Sequence, residues 1–150
     1  MTPSYKNGER YLANKLTYIT SVPKRGDVVV YRFPQNQRFL FIGRIIGLPG
    51  ERLTIQDGKV TINGNLLTED YLTKGTITET MEKREFRDID EFQGKLEKAG
   101  GPKTLEEGQK IILPVKSYFI MGDNRSGSID SRSLGFVKRE EILGKLSFKY

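Results

Sequence analysis

The chain predicts a mainly β fold, an antiparallel sheet or barrel core interrupted by a small inserted α+β subdomain. Three observations carry this. β-branched and aromatic runs of four to eight residues recur between Gly, Asn and Asp turn signals. Apolar content is 36% and charged content 29% over 150 residues, enough for one domain with a real core. One polar stretch, 73–110, breaks the β pattern and carries a helical stripe instead.

Taken in order, Lys24-Arg25-Gly26-Asp27 is a turn signal that opens a strand over Val28–Phe33. Phe39–Ile46 is the next strand, apolar almost throughout, so both of its faces are expected to be buried. Leu53–Gln56 and Lys59–Ile62 flank Asp57-Gly58, a strong two-residue hairpin signal, and Asn63-Gly64 supplies another tight turn. Within the polar stretch, Ile89, Phe92, Leu96 and Ala99 fall on one helical stripe. Asp88 with Glu91 forms a capping box, and Gly100-Gly101-Pro102 stops the helix, which predicts a short helix over 88–99. Strand structure resumes near Ile111. Tyr118–Met121 is a short apolar strand that empties into a polar loop, and Leu143–Tyr150 closes the sheet. The core is therefore expected over 1–72 and 111–150, with 73–110 inserted.

Composition excludes much chemistry. Cysteine and histidine are both absent, so disulfides, thiolates and the commonest general base and metal ligand are unavailable. No calcium-loop spacing occurs, and neither metal nor cofactor is expected. Net charge is +6, but the basic residues are spread along the chain without a block or an aromatic-interleaved patch, so nucleic acid is not expected as a partner. Apolar runs such as Phe39–Ile42 are far shorter than the ~20 residues of a membrane helix.

The loop Gly122–Arg132 holds more polar groups than a turn needs, which points to a site on the end of a strand. Gly122-Asp123-Asn124-Arg125 with Ser128, Asp130, Ser131 and Arg132 resembles the GDNR-x-x-S-x-DSR box of type I signal peptidases, peptidase family S26. Arg25-Gly26-Asp27-Val28-Val29-Val30-Tyr31 resembles the family's RGDVVV strand. Arg44-Ile45-Ile46-Gly47-Leu48-Pro49-Gly50-Glu51 resembles its RVIGLPGD box, and Met1-Thr2-Pro3-Ser4 resembles its SMxPT opening. The boxes occur in the family's order and span nearly the whole chain.

The resemblance implies a serine nucleophile activated by a lysine whose amine is desolvated, because only burial brings a lysine pKa from ~10.4 toward neutrality. It places the lysine at Gly43, the hydroxyl that orients its amine at Ser128, and the nucleophile immediately before Met1; Ser4 falls at the motif's threonine. Glycine cannot be a base, and the Arg44 guanidinium does not deprotonate. Asp123 with Arg44, and Asp130 with Arg132, are implied as structural pairs, with Arg125 supporting the same loop. A peptide groove is implied along Pro3, Phe41, Ile42 and Gly43, where substrate adds as a strand. Gly43 is expected to widen that groove.

Within the family, the chain resembles the non-cleaving signal-peptidase-like proteins of Gram-positive, streptococcal pilus assembly. That implies an extracellular domain on a single-pass anchor in the cell membrane, upstream of Met1, binding extended segments of pilins or other secreted proteins. The alternative is an active signal peptidase with its serine before Met1 and its base supplied by Lys24 or Lys145.

Overall fold

Strand β8 explains how the molecule is put together, because all five of its residues, Ser117–Met121, are buried. Tyr118 and Ile120 face one apolar cluster with Val29, Tyr31, Ile45, Val137 and Ile142. Phe119 and Met121 face another with Ile46, Leu53, Ile55, Val60, Ile62, Leu105 and Leu113. Alternation along the strand sends neighbours to opposite faces, so one short run serves two cores. Each fully buried Ile or Phe contributes about 1.5–3 kcal/mol from removal of apolar surface from water.

The computed structural model describes residues 1, 2, 4, 5, 8–33, 36–80 and 105–149. Its elements are β1 (Tyr11–Asn14), α1 (Thr17–Thr20), β2 (Val28–Phe33), β3 (Asn36–Gly47), β4 (Arg52–Gln56), β5 (Lys59–Ile62), β6 (Asn65–Leu66), β7 (Lys110–Ile112), β8, α2 (Ser131–Leu134), β9 (Val137–Lys138) and β10 (Ile142–Lys149). A six-stranded sheet runs β1-β10-β2-β3-β8-β9, and a four-stranded sheet runs β6-β5-β4-β7. All described pairings are antiparallel. The mainly β expectation therefore holds, as two open sheets rather than a closed barrel.

Local chemistry accounts for the turns. Asp57 and Gly58 both take positive φ, 51° and 73°, as do Asn63 and Gly64 at 52° and 85°. Two successive left-handed residues make the primed turn whose twist matches a hairpin, and these residue types adopt it at little cost.

One expectation needs correction. β3 is not buried on both faces along its length: Phe39, Leu40 and Ile42 are 51%, 61% and 44% exposed. Only its C-terminal part is flanked on both sides, with β8 meeting it at Arg44, Ile45 and Gly47. The preceding part pairs with β2 as a two-stranded extension. β1 was not anticipated, because Tyr11–Asn14 has no buried residue and exists by pairing with β10. The helix expected over 88–99 lies outside the described residues, as do Pro3 and Tyr150.

Candidate active site

The site forms where β8 ends and its chain turns back into α2. Asp130 caps α2, accepting from the Arg132 backbone N–H. Its carboxylate also takes two hydrogen bonds from the Arg132 guanidinium, at 2.8 and 2.7 Å, one from the Gly122 N–H at 3.0 Å and one from the Ser128 hydroxyl at 2.6 Å. Burial alone would raise the Asp130 pKa, but Arg132 and the donated hydrogen bonds hold it below the usual carboxylate range. Ser128 Oγ also accepts from Arg132 Nη2 at 2.9 Å. It is thus satisfied on both sides without an amine. Ser131 Oγ accepts from the Ile120 N–H at 2.9 Å and ties α2 back to β8.

Arg44 points to the other face of β3. It grips Asp123 with two hydrogen bonds, 2.9 and 2.7 Å, and donates to the Gly26 carbonyl at 2.9 Å. The Tyr71 ring covers its guanidinium 4.0 Å from the ring centre. Burial would lower the Arg44 pKa, but Asp123 outweighs it and the net shift is upward. A planar cation with all three of its nitrogens engaged is a positioning group. Met1 lies against the same loop, with its Sδ 3.4 Å from the Asp123 N–H, and Ser4 Oγ is 3.4 Å from Arg44.

Arg125 is fully buried and links the loop to the segment that holds Glu69, Tyr71 and Thr78. Glu69 meets its guanidinium in a two-point pair, with Thr78, Tyr71 and the Gly122 carbonyl completing the shell. Glu69, Tyr71 and Thr78 were missed at the sequence level. One signal was available: Arg44, Arg125 and Arg132 need three carboxylates, while the loop supplies only Asp123 and Asp130. The third had to come from a distant segment.

Gly43 occupies the position where the family resemblance puts the base, and its surroundings correct the expectation of a wider groove. A Cβ added there would lie 2.5 Å from Ile120 Cγ2, 3.3 Å from the Met121 carbonyl oxygen and 3.4 Å from the Tyr31 ring. The Ile120 side chain takes up the place where a Cβ would begin. Tyr31 itself is nearly inaccessible, and burial pushes its phenol up, with Asp130 adding to the shift. Phe41 is half-buried and Ile42 exposed, so those two groove positions remain on the surface.

Neither alternative lysine is desolvated. Lys24 is exposed, and Lys145 is 41% exposed with its ammonium 2.6 Å from Asp27 Oδ1. Asp27 also accepts from the Tyr18 hydroxyl and the Lys24 N–H. Among the described residues, no group of three or more acidic side chains is placed to hold a metal ion.

Known proteins resemble the chain in sequence and fold. The chain is 35% identical over 151 residues to the signal peptidase I of Bacillus caldolyticus, covering 100% of this chain and 74% of that protein. It is 31% identical over 150 residues to a signal peptidase IB of Staphylococcus aureus, covering 100% and 72%. A crystal structure of a signal peptidase I from Enterococcus faecalis superposes with a TM-score of 0.59 at 32% identity, covering 85% of this chain and 98% of that one. The family model described as "Signal peptidase, peptidase S26" matches residues 1–150, and with the paired arginines and Ser128 set around the end of β8, the chain belongs to that family.

Proposed function

We propose that this chain is a signal-peptidase-type domain that binds extended peptide segments without cutting them. The observation that carries this is Gly43. The position lacks an amine, and Ile120 Cγ2, 2.5 Å from where a Cβ would stand, blocks the start of a side chain there. Ser128 supports the same reading, because its hydroxyl is already engaged by Asp130 and Arg132. A serine without a desolvated base loses the order of 10⁴–10⁶ in turnover. The partners in this reading are pilins or other secreted proteins during pilus assembly. The domain sits outside the cell on a single-pass membrane anchor.

The test uses the full-length protein in detergent with a fluorescein-labelled leader peptide. The expected result is saturable binding with no product, and co-purification of pilin subunits from cell envelopes. Product formation that a signal-peptidase inhibitor abolishes overturns the proposal.

A second reading, an active signal peptidase, has one observation in its favour beyond the names of the relatives. Lys145 stands opposite Val29, which stands opposite Gly43, so an amine lies on the same cross-strand row. That reading requires a serine before Met1 and release of Lys145 from Asp27. Under it, Lys145→Met abolishes cleavage; under the first reading there is no cleavage to abolish.

A further inference from the structure

A cavity of about 350 Å³ opens between the 73–79 segment and Asp123–Ser126, with Thr2 on its rim. It adjoins the candidate site, sharing Asp123 with the Arg44 pair, while Thr2 directly follows Met1. Its lining mixes polar and apolar surface: the hydroxyls of Thr2, Thr73, Thr76 and Ser126, the Asn124 amide and the Glu79 and Asp123 carboxylates stand beside Ile77, and the Arg125 guanidinium in the lining is paired with Glu69.

The hydrogen-bond pattern sets what this cavity can recognise. Thr76 spends its hydroxyl proton on the Thr73 carbonyl at 2.7 Å, and Ser126 spends its own on Asn124 Oδ1 at 3.2 Å. Each oxygen then keeps its lone pairs to accept with. The cavity therefore matches a hydrogen-bond donor. A large apolar side chain would strip water from these acceptors without replacing the bonds, and a carboxylate would meet the like charges of Glu79 and Asp123. The groove strand differs, since Phe41 and Ile42 present apolar surface.

We infer that this cavity is a second subsite for the bound polypeptide, taking a donor-bearing Lys, Asn or Gln side chain just beyond the segment that lies on β3. The inference rests on the peptide-binding reading above. It makes the domain a reader of the boundary between an apolar stretch and a polar one. Thr76 and Ser126 are its specificity-determining residues.

The experiment measures anisotropy of fluorescein-labelled peptides identical except for Lys, Asn, Gln, Asp or Leu after the apolar stretch. The Lys, Asn and Gln peptides bind more tightly than the Asp and Leu ones. Thr76→Val and Ser126→Ala each weaken the donor-bearing peptides by about two- to tenfold, the worth of one hydrogen bond, and leave the other two unchanged. Thr76→Ser, which keeps the acceptor, restores the affinity. Equal affinity across the series, or equal loss for all peptides in the variants, overturns the subsite while peptide binding stands. Failure of every peptide to bind overturns the peptide-binding reading, and the subsite with it.

Discussion

Ile120 Cγ2 sits 2.5 Å from the point where a side chain on Gly43 would begin. Real Cβ atoms do not tolerate such an approach, and the obstructing methyl belongs to a β-branched residue held in a fully buried strand. The absence of a side chain at position 43 is therefore built into the packing of two strands.

Gly43→Ala is expected to destabilise the fold by about 1–3 kcal/mol through overpacking. Ile120→Ala alone costs about 2–5 kcal/mol by leaving a cavity. The double variant costs less than the sum, because each change relieves the other. Urea unfolding of the four proteins measures the coupling; additive losses would show that the two residues do not compete for space. By the same logic, if the domain does not cut, Gly43→Lys with a serine placed before Met1 yields cleavage only when Ile120 is also made small.

The Asp130–Arg132 pair provides a second prediction. Both side chains are fully buried, so Asp130→Ala leaves an uncompensated guanidinium and costs about 3–5 kcal/mol. Replacing both by apolar residues of similar size costs less than removing Asp130 alone. Thermal unfolding of the single and double variants separates these outcomes.

Glu69 is expected to tie its own segment to a loop distant in sequence, through Arg125. Glu69→Gln weakens the two-point contact with Arg125 and loosens 67–80 from the loop at Asp123–Ser126. Limited proteolysis should then cut within 67–80 faster than in the parent protein, with the β4–β5 hairpin unaffected. Unchanged cleavage kinetics would mean that Arg125 does not hold this segment.

Stability against pH should show two opposing limbs. Burial would raise Asp27, but Lys145, the Lys24 N–H and Tyr18 hold it below the usual range. Its contribution is full above the ordinary value of ~3.9 and is lost as pH falls through the lowered value. Lys145→Met should shift that loss toward the ordinary range. Glu141 behaves oppositely, because burial raises its pKa. Its contribution is full below the ordinary value of ~4.3 and is lost as pH rises through the raised value, so Glu141→Gln should flatten that decline. Urea midpoints across pH 2–7 for the three proteins give both signs.

Much of the β framework was legible because its signals are local. Asp57-Gly58 and Asn63-Gly64 announce their turns through residue type alone, and Tyr118–Met121 announces a buried strand through an unbroken apolar run. The exposed half of β3 misled for the same reason. Phe39, Leu40 and Ile42 read as core because composition does not say whether a covering strand arrives, and β8 reaches only as far as Arg44. Glu69 and Tyr71 were invisible because their partner Arg125 is more than fifty residues away in sequence.

What the sequence by itself determined is the type of each strand and turn, the family boxes, and the absence of an amine at position 43. These follow from residue chemistry and short-range spacing. Whether the absence left an open socket was decided only by the tertiary structure. The answer depends on which atoms from β2 and β8 converge on Gly43, a matter of strand register and side-chain direction across the sheet. The same holds for the arginines: their number is written in the sequence, while the carboxylate that neutralises each is chosen by the fold.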